Sequence, residues 1–87
     1  MPLLLALLVL TLAASSGPAA ARVCRVAGDP DSRETLYGKP GGPATGSVEG
    51  GRAMVTMGSG HDASGRTWIL VGQGGLRGWV ERGKLIC

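Results

Sequence analysis

Apolar residues beyond position 21 come in short runs that glycine and proline interrupt. No stretch without Gly or Pro exceeds seven residues there, and the longest spans 31–37. Globular helices average about eleven residues, and an interior glycine costs a helix up to about 1 kcal/mol. Strands of five or six residues fit these windows better. The pattern predicts an all-β domain with strands at 22–26, 35–37, 52–56, 66–71, 78–80 and 85–87.

The segments between these strands carry turn chemistry. Gly, Pro and Asp dominate 28–31 and 38–43, and the segments 62–65 and 72–75 are typical of hairpin connections. Five or six short strands in this order, with a wide early loop at 38–43, favour a small, partly open β-barrel.

Side-chain alternation divides strand 66–71 into two faces. Ile69 and Val71 fall on one face, and Trp68 and Leu70 fall on the other. If the first pair faces the core, Trp68 faces the surface, where a groove can form. The pattern leaves open which of Trp68 and Trp79 completes the core of a chain that has no Phe.

The first 21 residues have the pattern of an export signal. Residues 3–12 are almost wholly apolar, and small residues follow up to Ala21. The apolar run is much shorter than the roughly 20 residues of a membrane span. We expect a signal peptide at 1–21, cleaved before Arg22, and no stable membrane insertion afterwards. A buried core helix is the alternative, but no later segment has an apolar helical face to receive it.

Cys24 and Cys87 are the only cysteines, and they bracket the remaining domain, 22–87. Fifteen of the sixteen glycines lie in this part, so ordering its backbone is entropically expensive. A covalent staple is therefore expected, and export favours a structural disulfide. A zinc site would need more ligands than these cysteines and His61, and a redox pair usually has Cys-x-x-Cys spacing. The expected location is periplasmic or secreted.

The net charge is +3, from nine basic and six acidic residues, and the basic residues are scattered. The sequence has no run of basic residues and no interleaving of basic with aromatic residues, so it does not indicate a nucleic-acid-binding surface. Ser, His and Asp occur together only in segment 58–65, where side chains adjacent in one loop do not converge as a triad does. We therefore expect a non-enzyme without cofactor or metal, and a solvated His61.

The ordered motifs resemble the bacterial Src-homology-3-like domains of exported proteins. They read TLYGKPG at 35–41, GSVEGG at 46–51, AMV at 53–55, GRTWILV at 65–71, LRGWV at 76–80 and KLIC at 84–87. The resemblance covers essentially all of 24–87. It departs at 36–39, where the family usually has an Asn-Val-Arg-like segment beside its ligand groove.

The resemblance implies a Src-homology-3-like barrel that attaches to peptidoglycan or to another envelope partner. We expect Trp68, Tyr37, Trp79 and Arg66 to contact the ligand, since aromatic side chains give rigid contact area at low entropic cost. The function expected is a monomeric, non-catalytic binding module that recognises a cell-wall polymer or an envelope protein or peptide. The alternative is a secreted, disulfide-stabilised inhibitor or effector of an extracytoplasmic enzyme, acting through 38–46 or 58–65.

Overall fold

The computed structural model describes residues 22–87. The signal peptide predicted at 1–21 lies outside the described residues. The described part is all-β, as predicted, with one short 3₁₀ turn, Arg82–Lys84. Its seven strands are β1 (Val23–Val26), β2 (Arg33–Tyr37), β3 (Ala44–Glu49), β4 (Ala53–His61), β5 (Thr67–Gln73), β6 (Leu76–Glu81) and β7 (Leu85–Ile86).

The strands form a single antiparallel sheet in the order β3-β2-β6-β5-β4-β1-β7. The sheet curls into a half-barrel, which confirms the prediction of a small, partly open barrel. Strands β3 and β7 are its two edges. The predicted count of five or six strands is too low by at least one.

Two errors in the predicted strands have the same cause, which is glycine inside a strand. Strand β3, which contains Gly46, has no counterpart among the predicted strands. Strand β4 continues through Gly58 and Gly60 to His61, whereas the prediction ended it at Thr56 and treated 58–65 as a loop. Pairing with β2 and with β5 holds these two segments extended in spite of their composition.

The core takes one buried side chain from each of the first six strands. They are Val26, Leu36, Val48, Met54, Val71 and Val80, each at most 1% exposed. Ile69, Leu76 and Leu85 pack around them and are half-buried. Ile69 and Val71 therefore face the core, which fixes the opposite face of β5 as the outer face of the barrel.

The disulfide between Cys24 and Cys87 is present, as predicted. Cys24 lies in β1 and is 1% exposed, and Cys87 follows β7. Strand β7 has only two residues, which pair with Arg25 and Val26 of β1. The disulfide therefore adds a covalent link at the end of the very short pairing between β1 and β7.

Candidate functional site

All three aromatic residues of the protein lie on the outer face of the sheet. Tyr37 of β2 is the cross-strand partner of Trp79 in β6, and Leu70 of β5 is the partner of Trp79 on the other side. Trp68 lies two residues before Leu70 and so shares its face. The neighbours Leu36, Val71 and Val80 point the opposite way, into the core. Alternation around a common core therefore brings together side chains that are distant in sequence.

Trp68 lies on the predicted face but is not a surface residue. It is only 6% exposed, because the ring of Tyr37 meets it edge-on, with 5.2 Å between the ring centroids. Its indole Nε1 donates a hydrogen bond of 2.9 Å to Oδ2 of Asp62. The expectation that Trp68 faces solvent is wrong, because the end of β2 and the β4–β5 turn cover it. Trp79, by contrast, remains half-exposed.

Asp62 is a residue that the sequence reasoning did not assign to the site. Its Oδ1 accepts hydrogen bonds from the backbone N–H of Ser64, from the Ser64 hydroxyl and from the backbone N–H of Arg66, at 2.9, 2.7 and 3.0 Å. With the Trp68 indole on Oδ2, one carboxylate fixes both the β4–β5 turn and the buried tryptophan. The Ser64 hydroxyl, the Trp68 indole and the two backbone donors hold the pKa of Asp62 well below its usual range.

The loop 38–43 lies against this same face. A Cβ atom at Gly60 would lie 3.4 Å from the ring of Trp79 and 3.5 Å from Cγ of Pro40. A Cβ atom at Gly41 would lie 3.2 Å from Cβ of Asp62. Glycine at these positions thus lets the loop and the β4–β5 hairpin approach each other around Trp79. Gly60, one of the glycines that obscured the strand pattern, is therefore part of the packing around the site.

These elements leave a groove of about 360 Å³ on the outer face. Its lining residues are Tyr37, Gly38, Thr45, Leu70, Arg77, Gly78 and Trp79. Of the four predicted ligand contacts, Tyr37 and Trp79 therefore line the groove, and Trp68 packs behind Tyr37. Arg66 is highly exposed and pairs with Glu81 at 3.4 Å instead.

Arg77 is the charged residue that the prediction missed in this groove. It is exposed on β6, and the ion pairs found among residues 22–87 all involve other arginines. Its place is readable from the motif LRGWV, since Arg77 and Trp79 are two residues apart in one strand and share a face. The groove thus combines two aromatic rings, one aliphatic side chain, the hydroxyl groups of Tyr37 and Thr45, and one guanidinium group.

Two of the Ser, His and Asp residues of 58–65, Asp62 and Ser64, order the β4–β5 turn. Oδ1 of Asp62 accepts hydrogen bonds from the turn, including one from the Ser64 hydroxyl, and Oδ2 accepts one from the Trp68 indole. His61 is the exposed last residue of β4, not a loop residue as predicted. Within residues 22–87 no three His, Cys, Asp or Glu side chains are grouped to hold a metal ion.

Residues 22–87 contain no helix that is long and apolar enough to cross a membrane. Comparison of the chain with protein-family models, with curated proteins and with solved structures gave no match. The fold and the groove are therefore the basis for a functional hypothesis.

Proposed function

We propose that the chain is an exported, non-catalytic binding module of the bacterial cell envelope that recognises peptidoglycan or an envelope protein or peptide. The observation that carries the proposal is the outer-face groove beside Tyr37 and Trp79. This open groove combines apolar surface with several polar groups, which suits contact with a small unit of a larger ligand.

The chemistry of the lining favours a ligand that has both a flat apolar surface and an anionic group. The rings of Tyr37 and Trp79 offer rigid area for stacking, and their polar atoms allow hydrogen bonds at the rim. Arg77 offers a planar set of donors that matches a carboxylate. Sugar units that carry acidic peptides or carboxylates, as in a bacterial cell wall, combine these properties.

Two features of the scaffold support binding rather than catalysis. The aromatic cluster stands on paired strands, and the disulfide joins the two ends of the domain, so the groove is held by rigid elements. Beside the cluster, Asp62 is saturated with donors and has a lowered pKa, which makes it a poor general acid or base, and Glu81, the cross-strand partner of Trp68, pairs with Arg66.

A nuclear magnetic resonance titration with soluble peptidoglycan fragments tests the proposal. We expect the Trp79 indole and the amides near Tyr37 and Arg77 to shift. The Trp68 indole, which is bonded to Asp62, is an internal reference that should move much less. The Arg77→Gln variant should weaken binding about two- to fivefold at low salt, as expected for an exposed ion pair. Unchanged spectra at millimolar fragment would refute recognition of the cell wall.

The second candidate, an inhibitor or effector of an extracytoplasmic enzyme, is favoured by the exposed β4–β5 turn. Asp62 preorganises this turn through Ser64 and Arg66, and Ala63 and Gly65 at its tip are exposed. A rigid, exposed turn loses little entropy on entering a cleft. Co-sedimentation with purified sacculi distinguishes the two functions, because an inhibitor need not bind the wall.

A further inference from the structure

Strand β4 is paired along most of its length on one side but only along its first part on the other. On one side, β5 pairs with it as far as His61. On the other side, β1 pairs with Ala53, Met54 and Val55, and the backbone N–H of Thr56 donates to the carbonyl of Arg22 at 2.7 Å. No other segment of 22–87 pairs with β4 beyond Thr56 on that side. Residues 57–61, the β4 edge, are thus open within the described part of the chain.

The hydrogen-bond alternation shows which backbone groups this edge presents. Asp62 donates its backbone N–H to the carbonyl of Arg66 at 3.1 Å, so these two residues form a hydrogen-bonded pair. In the same register, His61 lies opposite Thr67, and Ser59 lies opposite Ile69. Bonded and non-bonded pairs alternate along an antiparallel ladder. Ser59 and His61 therefore direct their N–H and C=O groups away from β5, toward the open side. Their spacing of two residues matches an added extended chain.

A groove of about 750 Å³ lies beside the β4 edge on the concave side of the sheet. Ser59 of the edge contributes to its lining, together with Ile69 and the Cys24–Cys87 bridge. Side chains of an added strand that point inward would enter this groove. It lies across the sheet from Tyr37 and Trp79, so it is separate from the outer-face groove.

The charged residues of this second groove indicate which class of peptide would bind there. Arg22 and Arg82 line it, and no Asp or Glu side chain does. The ion pairs found among residues 22–87 involve neither of these arginines. Two basic side chains at the border of a groove without acidic side chains favour a ligand with carboxylates.

We propose that the β4 edge binds an extended acidic peptide as an additional strand, with Arg22 and Arg82 facing its carboxylates. The inference does not depend on the outer-face groove or on recognition of peptidoglycan. Cleavage before Arg22, as predicted from the sequence, would leave the edge accessible to a second chain.

The test uses the oxidised protein obtained by export of the full chain. The probe is a fluorescent pentapeptide of alternating valine and glutamate, blocked at both ends. We expect it to bind, and we expect the amides of Ser59 and His61 to shift while the Trp79 indole does not. The same peptide with lysine in place of glutamate should bind at least tenfold more weakly, because it meets arginines.

Ser59→Pro and Ser59→Ala form a matched pair that tests the strand pairing. Proline removes an outward N–H and is tolerated where that group faces solvent, whereas alanine keeps the backbone donor. We expect Ser59→Pro to weaken binding at least tenfold and Ser59→Ala to leave it within twofold. If Ser59→Pro lowers the melting temperature severely, a peptide N-methylated on the paired side replaces it and should show the same loss.

Arg82→Gln and Lys84→Gln form the corresponding pair for charge, since Lys84 lies in the same short turn but does not line the groove. Arg82→Gln should weaken binding about two- to fivefold at low salt and less at high salt, with Lys84→Gln unchanged. Equal binding of the glutamate and lysine peptides, or insensitivity to N-methylation, would overturn the proposal. So would a dimer that Ser59→Pro dissociates, because a second copy would then be the occupant.

Discussion

Replacing Cys87 by Ser is the most informative perturbation of this domain. Cys87 follows β7 and is exposed, whereas Cys24 is 1% exposed in the sheet. Removing the exposed partner opens the bridge and places no new polar group in the core. The remaining thiol of Cys24 packs as a small apolar side chain.

The expected loss follows from the length of chain that the bridge closes. The two cysteines are 63 positions apart, and the chain-entropy relation gives about 4 kcal/mol for such a loop. The non-covalent interactions of β7 stabilise the fold less. They consist of two residue pairs with β1 and the half-buried side chain of Leu85. Even a fully buried leucine contributes only about 1.5–3 kcal/mol. Small domains often have a total stability near 5 kcal/mol, so the bridge supplies most of what is available.

Thermal unfolding followed by circular dichroism measures the effect. A loss of about 4 kcal/mol in a domain of this size lowers the melting temperature by at least 10 °C, and the domain is then largely unfolded at 37 °C. Reduction of the wild-type protein with a phosphine should reproduce the change, and the same reagent should leave Cys87→Ser unaffected. A melting temperature within 3 °C of the oxidised wild type would refute the reasoning, because β7 would then be held without its staple.

Two further predictions concern single positions. Gly78→Ala should destabilise the fold by about 1–3 kcal/mol in urea unfolding, because its Cβ would lie 2.7 Å from Cβ of Leu36; Gly46→Ala, which meets nothing within 4 Å, is the control and should be neutral or stabilising. The lowered pKa of Asp62 contributes stability that is fully present above the ordinary aspartate pKa, near 4, and is lost as the pH falls through the lower folded-state value. Melting temperatures between pH 7 and pH 2 should therefore fall more steeply for wild type than for Asp62→Asn, and parallel curves would contradict this role of Asp62.

The fold class and the disulfide could be predicted because each depends on a local or counted property. Glycine and proline spacing excludes long helices, and two cysteines after an export pattern have one simple pairing. The strand β3 could not be predicted this way, since only Val48 of its six residues is buried. It is strand-like because β2 lies beside it, which is a tertiary cause.

The candidate site shows the same division between local and tertiary information. Period-two alternation correctly placed Trp68 on the face opposite Ile69 and Val71, because a strand has only two faces. Whether that face is open depends on what crosses it, and the loop 38–43, Tyr37 and the Asp62 turn cross it here. Trp79 stays partly accessible on this face, and its neighbour Gly78 lets the backbone of β6 approach Leu36 closely on the core side.

Asp62 was readable in part from the sequence Asp-Ala-Ser-Gly, because an aspartate that precedes a serine by two positions commonly accepts its backbone N–H in a turn. The sequence pattern does not indicate which group bonds to the second carboxylate oxygen. Oδ2 reaches Trp68 only because β4 and β5 pair up to His61 and Thr67, which brings the turn back over the indole. A short polar motif that resembles catalytic chemistry is therefore a device for ordering a turn and holding a buried tryptophan. The groove beside it gains a rigid support from this turn, as the proposed role in recognition requires.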